Sequence, residues 1–220
     1  VTVRTFTRAT LLSAMLSVAA LVAAPAAYAE RNAEAEAYVQ TNATSALQAL
    51  ANTSPTARTQ TFTTLMTRFA DMPRIASFVL GRYSTQLRTD AALRADWNRV
   101  FQDYAIASYE SNLTRYSANA IRVTNSVERV PGRDVIVRSE IAQPSGRPMP
   151  VQWRLMRTGE SWKVVDVSLV LDGSEIWLAQ QQQAEFLAAL DRLNGNIRGL
   201  MTNLQTQTTT MRERAASRRS

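Results

Sequence analysis

The charge that most invites a chemical reading is Asp166, set inside the apolar run Val164, Val165, Val167. Asp103 follows, with Tyr104 beside it and Tyr109 further along the same segment. A carboxylate base with phenol donors is minimal equipment for an isomerase or dehydratase that moves a proton. An acid within an apolar strand has a plainer use: its oxygens accept hydrogen bonds from the amides of a turn or a helix end. The plainer use is expected for Asp166, because the 220 residues hold no histidine and no cysteine. That composition excludes Ser-His-Asp and Cys-His centres, disulfide frameworks, thiolate-bound zinc and imidazole-bound metal. Lysine chemistry rests on one residue, Lys163. No catalytic residue, metal or cofactor is expected, and the chain is not expected to be an enzyme.

The elements that would carry these residues follow from periodicity. Glu34 to Leu50 has helical character and is broken by Asn52-Thr53-Ser54-Pro55; Ser54 is placed to cap the next helix, with Pro55 at its first position. Phe62, Leu65, Met66 and Phe69 recur at helical spacing. Asp71 and Pro73 start a short helix that Gly81 ends. Ala91 to Tyr116 is the longest helical pattern, with Leu93, Trp97, Val100, Phe101 and Tyr104 along one stripe. The period then changes from 3.6 to 2. Four strands are predicted, over Ala120–Val127, Asp134–Ile141, Val151–Leu155 and Trp162–Leu171, joined by short turns. A helix from about Glu175 to Leu193 and a short one from Ile197 to Leu204 close the pattern. The expected fold is α+β: N-terminal helices, a four-stranded antiparallel meander and C-terminal helices on one face, with a hydrophobic cavity between sheet and helices.

Both ends read as separate from this domain. Residues 1–29 have the form of a cleaved secretory signal: Arg4 and Arg8, an apolar run from Leu11 to Ala24, and Ala27-Tyr28-Ala29 at the cleavage site. The domain is assigned to 30–207 and a disordered basic tail to 208–220. Total charge is +7, from 25 basic and 18 acidic residues. Without residues 1–29 and the last nine residues, 19 basic face 17 acidic residues. This near balance does not support a nucleic-acid footprint. Export and the absence of cysteine fit the periplasm.

The ordered motifs resemble the MlaC family, periplasmic phospholipid-binding components of bacterial lipid-transport ABC systems, also known as toluene-tolerance auxiliary proteins. The matching stretches are Phe69-Ala70-Asp71-Met72-Pro73-Arg74-Ile75-Ala76, Leu80-Gly81-Arg82-Tyr83, Phe101 to Tyr109, Pro148 to Leu155, and Trp162-Lys163-Val164-Val165-Asp166-Val167. Asp172-Gly173-Ser174 departs from the family pattern by lacking a hydrophobic residue between Gly and Ser. The resemblance runs from about Phe62 to Leu204, and a hopanoid-associated branch of the family exists.

The resemblance implies a soluble carrier, expected to be a monomer. It would shuttle phospholipid between an inner-membrane ABC complex and an outer-membrane lipoprotein/porin complex, maintaining outer-membrane lipid asymmetry. Phospholipid is then cargo, not cofactor. Acyl chains would lie against Val79, Leu80, Phe101, Tyr104 and Tyr109 of the helices. On the strands, the expected lining is Val135 and Val137, then Val151, Trp153 and Leu155, then Val165 and Val167. Arg82 would stand near a phosphate head group. Two other functions share such a plan: a chaperone for protein-linked acyl chains, and the proton-moving enzyme built on Asp166 or Asp103.

Overall fold

The computed structural model describes residues 31–52, 54–113, 120–143, 146–171 and 173–217. The expected signal peptide therefore lies outside the described residues. Four helices open the fold: α1 (Ala33–Leu50), α2 (Pro55–Phe69), α3 (Met72–Val79) and, after a 3₁₀ turn over Gly81–Thr85, the single turn α4 (Gln86–Thr89). The long α5 (Ala91–Leu113) leads to strands β1 (Ile121–Val130), β2 (Asp134–Ile141), β3 (Met149–Thr158), β4 (Ser161–Leu171) and β5 (Ser174–Trp177). Helices α6 (Leu178–Arg192) and α7 (Ile197–Ser217) complete the chain. All five strands pair antiparallel in sequence order.

Local chemistry starts each helix. Asn32, Ser54 and Asp71 accept hydrogen bonds from the backbone N–H three residues on, capping α1, α2 and α3. Asp90 does the same for Leu93 at 2.8 Å, at the head of α5. Asp71 also ties its helix to the sheet, since its backbone N–H donates to Val164 O at 2.8 Å. The outward face of the sheet is polar: Arg122 pairs with Glu140 at 2.7 Å and Arg154 with Asp134 at 2.9 Å. The inward face and the helices share one buried cluster that includes Val79, Leu80, Trp97, Phe101, Val135 and Leu155.

Two expectations about elements are corrected. The sheet has five strands, not four. Gly173 adopts φ +80°, a left-handed conformation open to glycine, and lets the chain reverse so that Ser174–Trp177 pairs back onto β4. The helix expected from Glu175 therefore begins at Leu178. The second correction is α7, which continues past Leu204 to Ser217. Buried Leu200, Leu204 and Thr208 extend one helical stripe, and the Thr208 hydroxyl donates to Leu204 O at 2.8 Å. Thr206, Thr209 and Thr210 bond back to carbonyls four residues earlier in the same way. Residues assigned from sequence to a disordered tail are thus helical as far as Ser217.

Candidate functional site

Where α1, α2 and α5 stand off from the sheet, a cavity of about 310 Å³ opens. Helix α1 contributes Ala43, Ala46, Leu47 and Leu50 to its wall. The side chain of Gln40 fixes α1 on β1, donating to Ile121 O and accepting from Val123 N, both at 2.9 Å. Phe62, Met66 and Phe69 of α2 come from one face, spaced by four and three residues. The Tyr38 hydroxyl donates to Phe69 O at 3.1 Å and holds the end of that helix. Helix α5 adds Tyr104, Ser108 and Tyr109.

The strands close the other side with Ile121, Ile141, Val151, Trp153, Val167 and Leu169. Trp153 is oriented by its indole N–H, which donates to Ser139 Oγ at 2.8 Å, and its ring lies 5.5 Å from that of Phe69. Leu178, Gln181, Gln182 and Glu185 of α6 complete the wall. No Arg or Lys lines the cavity among the described residues, and its single formal charge is Glu185. Among the described residues no cluster of acidic side chains is arranged to hold a metal ion. No described helix is long and apolar enough to cross a membrane.

Asp166 has a structural task. Its Oδ1 accepts from Val167 N and Ala179 N, both at 2.8 Å. The Ala179 amide lies in the first turn of α6, whose own N-cap residue, Trp177, supplies no side-chain bond. Asp166 therefore caps that helix from the neighbouring strand β4. Burial pushes its carboxyl above the usual carboxylate range, against the lowering effect of the two amides. Burial likewise pushes the Tyr109 phenol far up, with a smaller contribution from the Asp166 charge, and raises Tyr104. Asp103 is solvent-exposed and pairs with Arg212 at 3.5 Å.

Of the residues expected to line a pocket, Tyr104, Tyr109, Val151, Trp153 and Val167 do so. Val79, Leu80, Phe101, Val135, Val137 and Leu155 lie outside the cavity wall, at most 2% exposed, in the packed core. Phe101 stacks on Trp97 with ring centroids 5.8 Å apart and meets Phe186 edge-on. Val165 is displaced by a bulge: Arg154 pairs with Asp166 but Leu155 pairs with Val164, so Val165 is the extra residue and strict alternation with Val167 fails. Arg82 stands away from the cavity wall, exposed, hydrogen-bonded through Nη2 to Asp191 and stacked over Tyr83 at 4.9 Å. The contributions of α1, α2 and α6 were missed. Their signal was present in the Ala43-Ala46-Leu47-Leu50 and Phe62-Met66-Phe69 stripes, but periodicity does not separate a cavity wall from a core.

A sheet facing a helical layer across an apolar cavity defines a container-like α+β fold. The model of the MlaC protein family matches residues 38–206, and the chain belongs to that family. Among solved structures it is similar to a phospholipid-binding protein from Ralstonia solanacearum, determined in complex with a phospholipid. That match has a TM-score of 0.68 at 20% identity and covers 81% of this chain and 99% of the other. The likeness extends the fold to a protein that was solved holding lipid. No curated protein sequence matches the chain.

Proposed function

We propose that this protein is a periplasmic phospholipid carrier that holds acyl chain in the cavity between α1, α2, α5 and the sheet. The observation that carries the reading is the wall itself: aliphatic and aromatic side chains from every layer of the fold around one space. Family membership and the lipid-bound structural neighbour support it. Each methylene taken out of water is worth about 0.8 kcal/mol, so a 16-carbon chain strands roughly 13 kcal/mol of transfer free energy in an aqueous compartment. A lipid crosses such a compartment only inside an apolar container. The N-terminal signal pattern, with Arg4, Arg8 and Ala27-Tyr28-Ala29, supports export.

The shuttle would load and unload at an inner-membrane ABC complex and an outer-membrane lipoprotein/porin complex, and so sustain lipid asymmetry. Family membership is what supports these partners. Catalysis is not part of the proposal: Asp166 is engaged by the Val167 amide of its own strand and by the Ala179 amide at the start of α6, and Asp103 faces an arginine outside the cavity. The test is mass spectrometry of a solvent extract from protein purified out of the periplasm. Co-purified phospholipid, or uptake from vesicles at up to one molecule per chain, is expected. Absence of both would end the carrier reading.

A further inference from the structure

One polar group inside the cavity is unpaired. Tyr109 of α5 lines the wall and is enclosed by protein, yet part of its surface is accessible, so that surface faces the cavity. Its hydroxyl forms no hydrogen bond among the described residues, and it is not one of the polar atoms that packing seals off. Other polar groups of the wall are engaged: Tyr104 bonds Gln182, Gln181 donates to Glu185 at 3.0 Å, and the Trp153 indole donates to Ser139. The Tyr109 phenol feels the Asp166 charge and the Tyr104 phenol. Both of those neighbours bond α6, the helix whose exposed Gln181 and Glu185 mark the opening. Burial pushes the phenol far above its ordinary value, so it stays protonated through the physiological range and presents an O–H.

We infer that the Tyr109 hydroxyl recognises the acyl-ester carbonyl of the cargo, so that the cavity prefers ester-linked lipids to ether-linked ones. The inference rests on the carrier reading and deepens it by naming the linkage. Saturated hydrocarbon laid against this hydroxyl strips its water and returns no acceptor, which costs as much as a lost hydrogen bond. A carbonyl oxygen in the same place restores the bond. Ester groups join the acyl chains to glycerol. With chains among Leu47, Val151 and Trp153, they fall between the apolar wall and the opening on α6, the side toward which Tyr109 is turned. An ether oxygen is a poorer acceptor than a carbonyl, and a polycyclic hydrocarbon has none to offer.

The experiment loads the purified protein from vesicles holding equimolar diester and diether phosphatidylethanolamine of identical chain length. The ratio of the two lipids in a solvent extract is read by mass spectrometry and is independent of total load. Dividing the wild-type ratio by that of Tyr109→Phe cancels any difference in how readily the two lipids leave the vesicle. The quotient is expected to favour ester lipid about fivefold, the size of one neutral hydrogen bond. A quotient of one overturns the inference and leaves the carrier reading standing. The unfolding midpoint of delipidated Tyr109→Phe should not fall; a fall would show that the hydroxyl is paired within the fold and would also overturn the inference. A second measurement needs no variant: the infrared band of an isotope-labelled ester carbonyl bound to wild type should lie below that of the same lipid in dry hydrocarbon, and an unshifted band overturns the inference. A protein that takes up neither lipid overturns both readings.

Discussion

The inner face of β3 serves two regions with one kind of side chain. Val151 and Trp153 look onto the cavity, and Leu155, two residues further on, is buried in close-packed core. The strand does not make the difference; the helices opposite it do. Around the cavity α1 presents Ala43 and Ala46, side chains too short to cross the gap. In the packed core, Trp97 and Phe101 of α5 and Phe186 of α6 have ring centroids 5.8–6.4 Å apart. A container and a core thus share one sheet face, side by side along β3.

Truncation should separate the two regions most strongly. Trp97 is fully buried and its indole N–H donates to Ala76 O at 2.8 Å. Trp97→Ala should cost about 3–5 kcal/mol in chemical denaturation. Trp153→Ala, in a wall that already borders empty space, should cost about half of that. Equal losses would mean that the cavity region is packed like the core.

Overfilling sharpens the same contrast. Leu155→Trp should lower stability by about 1–3 kcal/mol, because the core has no room for the ring. Val151→Trp should leave the unfolding midpoint of delipidated protein nearly unchanged and reduce bound lipid instead. Delipidated samples are essential, since a ligand bound only to the folded state stabilises it.

The helix cap gives a smaller effect with a defined sign. Burial raises the Asp166 carboxyl in the folded state. Its contribution is therefore full below the unfolded carboxylate value and is lost as pH rises through the raised value. Asp166→Asn removes that dependence. The Tm difference between variant and wild type should move in favour of asparagine between pH about 4 and neutrality. A move in the opposite direction would show that the amides, not burial, dominate at this carboxylate. The smallest effect belongs to Arg82→Ala, which breaks an exposed ion pair with Asp191 away from the cavity wall. Its Tm should barely move and its lipid content should match wild type; loss of lipid would restore Arg82 to a head-group role.

Much of this fold was legible because the period of the pattern changes from helix to strand near Ile121 and back to helix after the sheet. Helix caps at Ser54 and Asp71 and the bounds of β2 followed from local chemistry. What escaped depends on tertiary partners. The fifth strand exists because β4 offers its edge to Ser174–Trp177, a stretch with no strand alternation of its own. The extension of α7 depends on its tertiary partners: α7 packs along α5, Leu204 and Thr208 are buried, and Arg212 reaches Asp103 of α5. The bulge at Val165 shifted the face of one expected lining residue. For the site, five of the twelve expected lining residues border the cavity; the alternation gave the right face of β2 and β3, and only the opposing helices decide how far along that face the cavity reaches.

The central claim is that lipid occupies this cavity, and a crystal structure of the protein loaded from phospholipid vesicles tests it most directly. Acyl-chain density is expected between α1 and strands β3 and β4, touching Ala46, Leu47, Val151, Trp153 and Val167. Density for lipid elsewhere on the surface, with this cavity unchanged and empty, would contradict the account.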